Sequence, residues 1–140
     1  MEQTNNKSII VEVTIKDPIS KVWKCWTSPE HIVKWNNASE DWHSPHSEND
    51  LRIGGKFLTR MEAKDKNFGF DFWGIYDEIR EEEFIAYTLG DGRKVSIQFS
   101  GSGNETKVTE TFEMENENSE ELQRGGWQAI LNNFKTYVES

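Results

Sequence analysis

The sequence predicts an α+β domain in which a curved antiparallel sheet of about six or seven strands wraps around one long C-terminal helix. Three observations support this class: apolar and polar residues alternate through the middle of the chain, hairpin-length turns separate the alternating segments, and a long amphipathic stripe follows them. The length of 140 residues fits one domain, so residues 1–140 are expected to fold as a single unit.

The first part of the chain predicts one strand followed by two short helices. Apolar and polar residues alternate from Ser8 to Lys16, which is the period of a half-buried strand. Asp17 followed by Pro18 is typical of a capping residue with proline in the first turn, and Ser28 followed by Pro29 repeats the signal. Each pair is therefore expected to begin a short helix.

The middle of the chain predicts an antiparallel meander. A brief strand at Trp42 precedes five longer alternating segments, which are Ile53 to Glu62, Phe68 to Ile79, Phe84 to Leu89, Lys94 to Ser100 and Thr106 to Glu113. The connections are rich in turn residues, and Gly90-Asp91-Gly92 is the strongest hairpin signal among them. Consecutive strands are therefore expected to pair as neighbours.

The last segment predicts a long amphipathic helix. Asn118 or Ser119 with Glu121 resembles a capping box. The apolar stripe that follows consists of Leu122, Trp127, Ile130, Leu131, Phe134 and Val138. Six strands span roughly 29 Å, whereas one helix is only about 10–12 Å across, so a single helix does not cover the sheet. The sheet is expected to curl and to enclose a cavity that the helices leave unfilled.

Charge and composition exclude several classes of function. The net charge of −9 repels phosphate backbones, so no nucleic-acid partner is expected. No apolar run reaches the length of a membrane span, and the N-terminal residues do not resemble a signal peptide. We therefore expect a soluble cytoplasmic protein, monomeric or weakly dimeric. The lone Cys25 is expected to pack in the core rather than to act as a nucleophile.

The aromatic content points to an internal site. The chain has 6 Trp and 8 Phe, and strand alternation directs many of these rings to one face. The residues expected to contact a ligand are Trp35, Trp42, His43, Phe57, Met61, Phe70, Phe72, Tyr87, Ile97, Glu110 and Trp127. For any one aromatic residue, ordinary core packing is the alternative interpretation.

Glu110 is the most unusual of these candidates. The alternation of Val108, Glu110 and Phe112 places a carboxyl group on a face that is otherwise apolar. A buried carboxylate needs a partner or must be protonated, and Tyr87, His43 or Arg124 are the candidate partners. The alternative is that a local bulge turns Glu110 outward or places it at a solvated rim.

No metal or cofactor is expected. His43 and His46 lie near Glu48, but the intervening Pro45 argues against a helical histidine pair, and no further Cys or His supports a metal site. Gly54-Gly55 precedes a strand and lacks the lysine and helix start of a phosphate loop.

Several segments in order along the chain resemble the START-like (SRPBCC) superfamily. They are Asp17 to Trp23, Pro29-Glu30 with Trp35, Asp50 to Phe57, Gly74-Ile75-Tyr76, Tyr87-Thr88 and Gly126 to Leu131. Within the superfamily they are similar to the bacterial homologues of the activator of the ninety-kilodalton heat-shock chaperone's ATPase. The resemblance implies a helix-grip fold with a cavity for lipids, sterols, polyketides or other apolar compounds.

These observations favour a non-enzymatic module that binds a small, largely apolar ligand between the sheet and the C-terminal helix. The first alternative is a START-like enzyme in which Glu110 and His43 form an acid–base pair. The second alternative is an interaction module that contacts a chaperone through its acidic surface and through outward-facing tryptophans such as Trp73.

Overall fold

A seven-stranded antiparallel sheet and three helices make up residues 7–37 and 39–140, the part of the chain that the computed structural model describes. The elements are β1 (Ser8–Ile15), α1 (Ile19–Thr27), α2 (Pro29–Trp35), β2 (Trp42–Asn49), β3 (Lys56–Ala63), β4 (Gly69–Arg80), β5 (Phe84–Leu89), β6 (Lys94–Ser102), β7 (Glu105–Glu113) and α3 (Glu120–Glu139). The strand order is β1-β7-β6-β5-β4-β3-β2. The predicted α+β class, with two short helices after the first strand, is confirmed.

The helix starts follow the sequence signals with two corrections. Pro18, not Asp17, is the capping residue of α1, and its carbonyl accepts bonds from the amides of Lys21 and Val22. Ser119 caps α3, and its Oγ accepts a hydrogen bond of 3.1 Å from the Leu122 amide. Because Leu122 therefore occupies the third helical position, the predicted capping box with Glu121 does not form.

Two strands differ from their predicted bounds by more than two residues. β2 is a full edge strand rather than a brief one, and its pairing with β3 shifts register between His43 and His46, on either side of Pro45. Proline donates no ladder hydrogen bond, so an irregular edge strand tolerates it. β3 begins at Lys56 rather than Ile53, because the preceding turn places Gly54 at a φ of +85°.

The inner face of the curled sheet forms the core, as the alternation predicted. Its buried residues include Phe57, Thr59, Met61, Tyr76, Ile85, Tyr87, Leu89, Val95, Ile97, Phe99, Thr106, Val108, Glu110 and Phe112. Gly74 also lies on this face, where an added Cβ would stand 2.9 Å from the Phe57 ring. The missing side chain therefore makes room for Phe57. Phe68 is 62% exposed because it precedes β4 rather than lying in it.

Helix α3 packs mainly against β1, α1 and α2, at one side of the sheet. Phe134 anchors it, with its ring centroid 4.9 Å from that of Trp26 and 4.7 Å from that of Trp35. The predicted stripe is correct for Leu131, Phe134 and Val138, which are buried, but Leu122 is 63% exposed. This off-centre packing leaves a gap between α3 and the strands on the other side of the sheet. None of the helices in residues 7–37 and 39–140 qualifies as a membrane-spanning segment.

Candidate functional site

A cavity of about 380 Å³ fills the gap between the sheet and α3. Its wall is formed by Trp26, Ile32, Trp35, Asn36, Ser47, Glu48, Phe57, Thr59, Met61, Phe70, Phe72, Tyr76, Tyr87, Arg93, Glu110, Glu115, Asn118, Leu122, Gln123, Gly126, Trp127, Ile130 and Leu131. Strands β3, β4 and β5 provide one side, and α3 provides the opposite side. The cavity therefore lies where the helix leaves the concave face uncovered.

Aromatic rings form most of the apolar wall. Phe57 lies at the centre, with its ring centroid 5.8 Å from that of Phe72 and 4.6 Å from that of Tyr87. On the helix side, Trp127 stacks on Phe112 at 4.0 Å with an interplanar angle of 8°. These contacts fix the rings against one another, so the wall is formed without a ligand.

Trp26 lines the cavity beside Trp35, although it was not among the predicted site residues. Its ring centroid lies 5.0 Å from that of Trp35, whose Nε1 donates a 3.0 Å hydrogen bond to the Cys25 carbonyl. Trp26 follows Trp23 at helical spacing. That spacing was the sequence signal that could have identified it, because it places Trp26 on the apolar face of α1.

Several polar groups in the wall are already hydrogen-bonded within the protein. The Tyr76 phenol donates to Asn49 Oδ1 at 2.6 Å, and the Asn49 amide in turn donates to the Thr27 carbonyl at 2.6 Å. The hydroxyls of Ser47 and Thr59 lie 3.1 Å apart. These bonds connect β2, β3 and β4 and use part of the hydrogen-bonding capacity of these groups.

Glu110 lies inside the cavity with only 7% of its surface exposed. Its register neighbours are Val11 on β1 and Ile97 on β6, so apolar side chains flank it on both sides. It forms no hydrogen bond with any other residue in the described part of the chain. Burial raises the pKa of this carboxyl group to about 8.

Tyr87 is a second buried polar group in the same wall. It is 6% exposed, and its phenol makes no hydrogen bond to a described residue. Burial raises the pKa of Tyr87 well above its ordinary value, negative charge on Glu110 and Tyr76 adds to the rise, and Arg93 opposes it. Tyr87 is therefore a neutral phenol that can donate a hydrogen bond into the cavity.

The mouth of the cavity is partly apolar. Phe70 is 40% exposed and Leu122 is 63% exposed, and both line the opening. Gln123 fixes the start of α3 beside it, since its side-chain amide donates to the carbonyls of Asn118 at 2.8 Å and Glu115 at 3.1 Å. An apolar molecule that enters the cavity therefore meets apolar side chains first.

Eight of the predicted site residues line the cavity: Trp35, Phe57, Met61, Phe70, Phe72, Tyr87, Glu110 and Trp127. Trp42, His43 and Ile97 do not. Trp42 packs beside the mouth against Phe68 and Phe70, at centroid distances of 5.9 and 6.1 Å. Ile97 faces inward but is fully buried in the core below the cavity.

The predicted acid–base pair is not assembled. His43 lies on the outer part of edge strand β2, with Nε2 3.6 Å from Glu62 Oε1, and its side chain is 45% exposed. Arg124, another predicted partner of Glu110, instead binds Glu120 at 2.9 Å. Of the three candidate partners, only Tyr87 shares the cavity with Glu110.

Trp73 and His46, which the sequence analysis named for a chaperone contact and for a metal site, each contact a charged side chain. Trp73 is 37% exposed on the outer face, and Lys56 Nζ lies 4.7 Å from its ring centroid. His46 Nε2 lies 2.6 Å from Glu48 Oε2. Residues 7–37 and 39–140 contain no cluster of three or more His, Cys, Asp or Glu side chains that could hold a metal ion.

Comparison with known families gives one match. The family described as Activator of Hsp90 ATPase homolog 1-like protein matches residues 16–139, which covers every element from α1 to α3. No match was found among curated proteins.

Solved structures agree with this match. The solution structure of an AHSA1-like protein from Aeromonas hydrophila is 41% identical, with a TM-score of 0.89, and the match covers 95% of this chain and 92% of that one. A solution structure from Cytophaga hutchinsonii is 52% identical, with a TM-score of 0.82, and the coverage is 94% and 92%. A crystal structure from Chromobacterium violaceum, at 21% identity, a TM-score of 0.85 and coverage of 96% and 99%, supports the fold alone.

Proposed function

Because this chain belongs to the Activator of Hsp90 ATPase homolog 1-like family, whose fold is compatible with a ligand-binding cavity, we propose that it binds a small, largely apolar molecule between the sheet and α3. The observation that carries the proposal is the aromatic cavity itself. It is already formed, it opens at an apolar mouth, and it holds two buried polar groups that are not hydrogen-bonded to any residue in the described part of the chain.

The size and lining of the cavity support this function. Sites for small molecules have volumes of roughly 300–1,000 Å³ and combine an apolar lining with a few polar groups that orient the ligand. The volume of about 380 Å³ lies at the lower end of this range. The proposed ligand is therefore a compact molecule with an apolar body of one to a few rings or an equivalent chain. Glu110 and Tyr87 are the groups that would orient its polar end.

Binding of a neutral apolar dye tests this proposal. We expect N-phenyl-1-naphthylamine to bind with one-to-one stoichiometry, measured by calorimetry, and to quench tryptophan fluorescence because Trp26, Trp35 and Trp127 line the cavity. Leu122→Asp should weaken binding roughly tenfold by placing a charge at the apolar mouth. An acidic residue in the first turn of α3 is compatible with the helix dipole, so the fold should be retained.

The matched control is Ile53→Asp. Ile53 is 66% exposed, like Leu122, but it lies in the turn before β3 and does not line the cavity. This variant is expected to bind the dye as the wild type does. Equal weakening by both substitutions, or no binding to the wild type across a varied set of apolar compounds, would count against the cavity as the binding site.

Contact with a chaperone stays a prediction from the resemblance. The outer face that carries Trp73 would be the surface for it, and Lys56 over the Trp73 ring covers part of that surface.

A further inference from the structure

The carboxyl group of Glu110 and the phenol of Tyr87 belong to two strands of the sheet that have one other strand between them. Glu110 lies on β7 and Tyr87 on β5, with β6 between them, and the curl of the sheet turns both side chains toward the same space. Negative charge on Glu110 adds to the rise in the pKa of Tyr87. Each is more than nine-tenths buried, and neither is hydrogen-bonded to another described residue.

In the described part of the chain no fully enclosed side-chain oxygen or nitrogen lacks a partner, so the oxygens of Glu110 and Tyr87, which bond to no described residue, reach the open space of the cavity. The neighbouring phenol of Tyr76 shows the contrast, because it is also buried in the wall but donates to Asn49. Glu110 and Tyr87 keep their hydrogen-bonding capacity for something that enters the cavity.

We propose that Glu110 and Tyr87 act together as two hydrogen-bond donors that bind one acceptor oxygen, of the carbonyl type, on the otherwise apolar ligand. This inference rests on the proposed function and names the class of ligand. An sp² oxygen has two lone pairs and accepts two such bonds.

The protonation states of Glu110 and Tyr87 agree with a role as hydrogen-bond donors. A carboxyl group whose pKa is raised to about 8 is mainly protonated at neutral pH and carries an O–H. The phenol of Tyr87, whose pKa is raised further above its ordinary range, also keeps its proton. The same combination of a tyrosine and a protonated carboxyl in an apolar site binds a carbonyl oxygen in ketosteroid isomerase.

A ligand ammonium group is the main alternative, and the charges around the cavity disfavour it. Arg93 lines the wall and carries a positive charge, and although its Nε binds Asp91 Oδ2 at 2.8 Å, which reduces the effect, this charge opposes a bound cation. Two other acidic residues of the wall are already engaged: Glu48 with His46 at 2.6 Å, and Glu115 with the amides of Glu117 and Asn118.

Three probes with the same apolar body test the inference. They are 2-acetonaphthone, which carries a ketone, 2-ethylnaphthalene, which carries no polar group, and 1-(2-naphthyl)ethylamine, which is a cation at neutral pH. We expect the ketone to bind roughly three- to tenfold more tightly than the hydrocarbon, the range for one or two net hydrogen bonds, and the amine to bind most weakly. Calorimetry measures all three affinities.

Conservative variants assign the effect to the two side chains. Tyr87→Phe should reduce the ratio of ketone to hydrocarbon affinity roughly threefold and should raise the carbonyl stretching frequency of the bound ketone. Tyr76→Phe is the matched control, because its phenol already donates to Asn49, and the affinity ratio should stay as in the wild type.

The pH dependence of the affinity ratio distinguishes titration of Glu110 from titration of the other groups that line the cavity. In the wild type, the affinity ratio should fall as the pH rises through about 8, because the carboxyl loses the proton that it donates. In Glu110→Gln the amide N–H replaces the donor, so the ratio should be retained and should not fall with pH. The other titratable groups along the cavity are Glu48, Tyr76, Tyr87, Arg93 and Glu115. All of them are still present in Glu110→Gln, so a fall that persists there would come from one of them.

The outcomes distinguish this inference from the proposed function. Equal binding of ketone and hydrocarbon by the wild type would overturn the donor pair and leave the apolar binding site intact. Tightest binding of the amine would also overturn it and would indicate an ionised Glu110. A failure of all three probes to bind would contradict the proposed function as well.

Discussion

Glu110 illustrates how the environment of one side chain changes its chemistry. Its register neighbours Val11 and Ile97 are buried and apolar, and no described group offers it a hydrogen bond. The charged form is therefore penalised, and the pKa rises to about 8. In the unfolded chain the same group ionises near its ordinary value of about 4.3.

This difference predicts how stability depends on pH. Between pH of about 4.3 and about 8 the folded state holds a proton at Glu110 that the unfolded state has lost, so the free energy of unfolding falls as pH rises through this window. Relative to Glu110→Gln, which does not titrate there, the wild type should lose a few kcal/mol, at about 1.4 kcal/mol per pKa unit. Urea denaturation at several pH values measures the loss.

Glu12→Gln is the control for this experiment. Glu12 lies on the neighbouring strand β1, and its side chain is 52% exposed. This variant should keep the wild-type slope of stability against pH. An identical slope in Glu110→Gln and the wild type would show that Glu110 is not titrating in a buried environment.

Strand alternation predicted the direction of individual side chains well where the strands are regular. It placed Glu110 and Tyr87 on the inner face because side chains on a strand repeat every two residues. His43 was a candidate because of its imidazole and not because of alternation, and it lies on edge strand β2 with Nε2 3.6 Å from Glu62 Oε1. Ile97 faces inward as predicted, but alternation contains no information on depth within the core.

At the scale of elements, the first half of α3 forms one side of the cavity and contains two adjacent glycines. An added Cβ at Gly125 or Gly126 would meet no atom within 4 Å. Gly126 lines the cavity, whereas Gly125 is exposed. The two positions therefore share a helix and a residue type but differ in their contact with the site.

Alanine at each position should separate stability from binding. Both Gly125→Ala and Gly126→Ala should raise the free energy of unfolding by about 0.5–1 kcal/mol, because glycine is unfavourable inside a helix and no clash opposes the methyl group. Only Gly126→Ala should weaken binding of N-phenyl-1-naphthylamine, and by several-fold, since its methyl group takes up space in the cavity. Equal affinities for the two variants would mean that the ligand does not lie against this part of α3.

The position of α3 was only partly predictable. The apolar spacing correctly identified Leu131, Phe134 and Val138 as buried. It did not show that the helix packs toward β1, so that Leu122 lies at an open mouth instead of in the core. A helical stripe indicates which face is buried but not which part of a wide sheet it covers.

For the whole molecule, the cavity follows from a mismatch between a seven-stranded sheet and the helices that cover it. The sequence predicted this mismatch from strand number and helix width, and the predicted fold class was correct. The volume and the mouth could not be predicted, because they depend on how tightly the sheet curls and on rings such as Phe57 and Trp127 that fix one another by contact.

The most direct test of the account locates a bound ligand by NMR, with 2-acetonaphthone as the probe. Intermolecular NOEs should connect the naphthalene protons to the methyl groups of Met61, Ile130 and Leu131, which line the cavity. No NOEs should reach Ile10 or Ile53, which are 56% and 66% exposed outside it. NOEs only to those exposed residues, or none to any methyl group at saturating probe, would contradict binding between the sheet and α3.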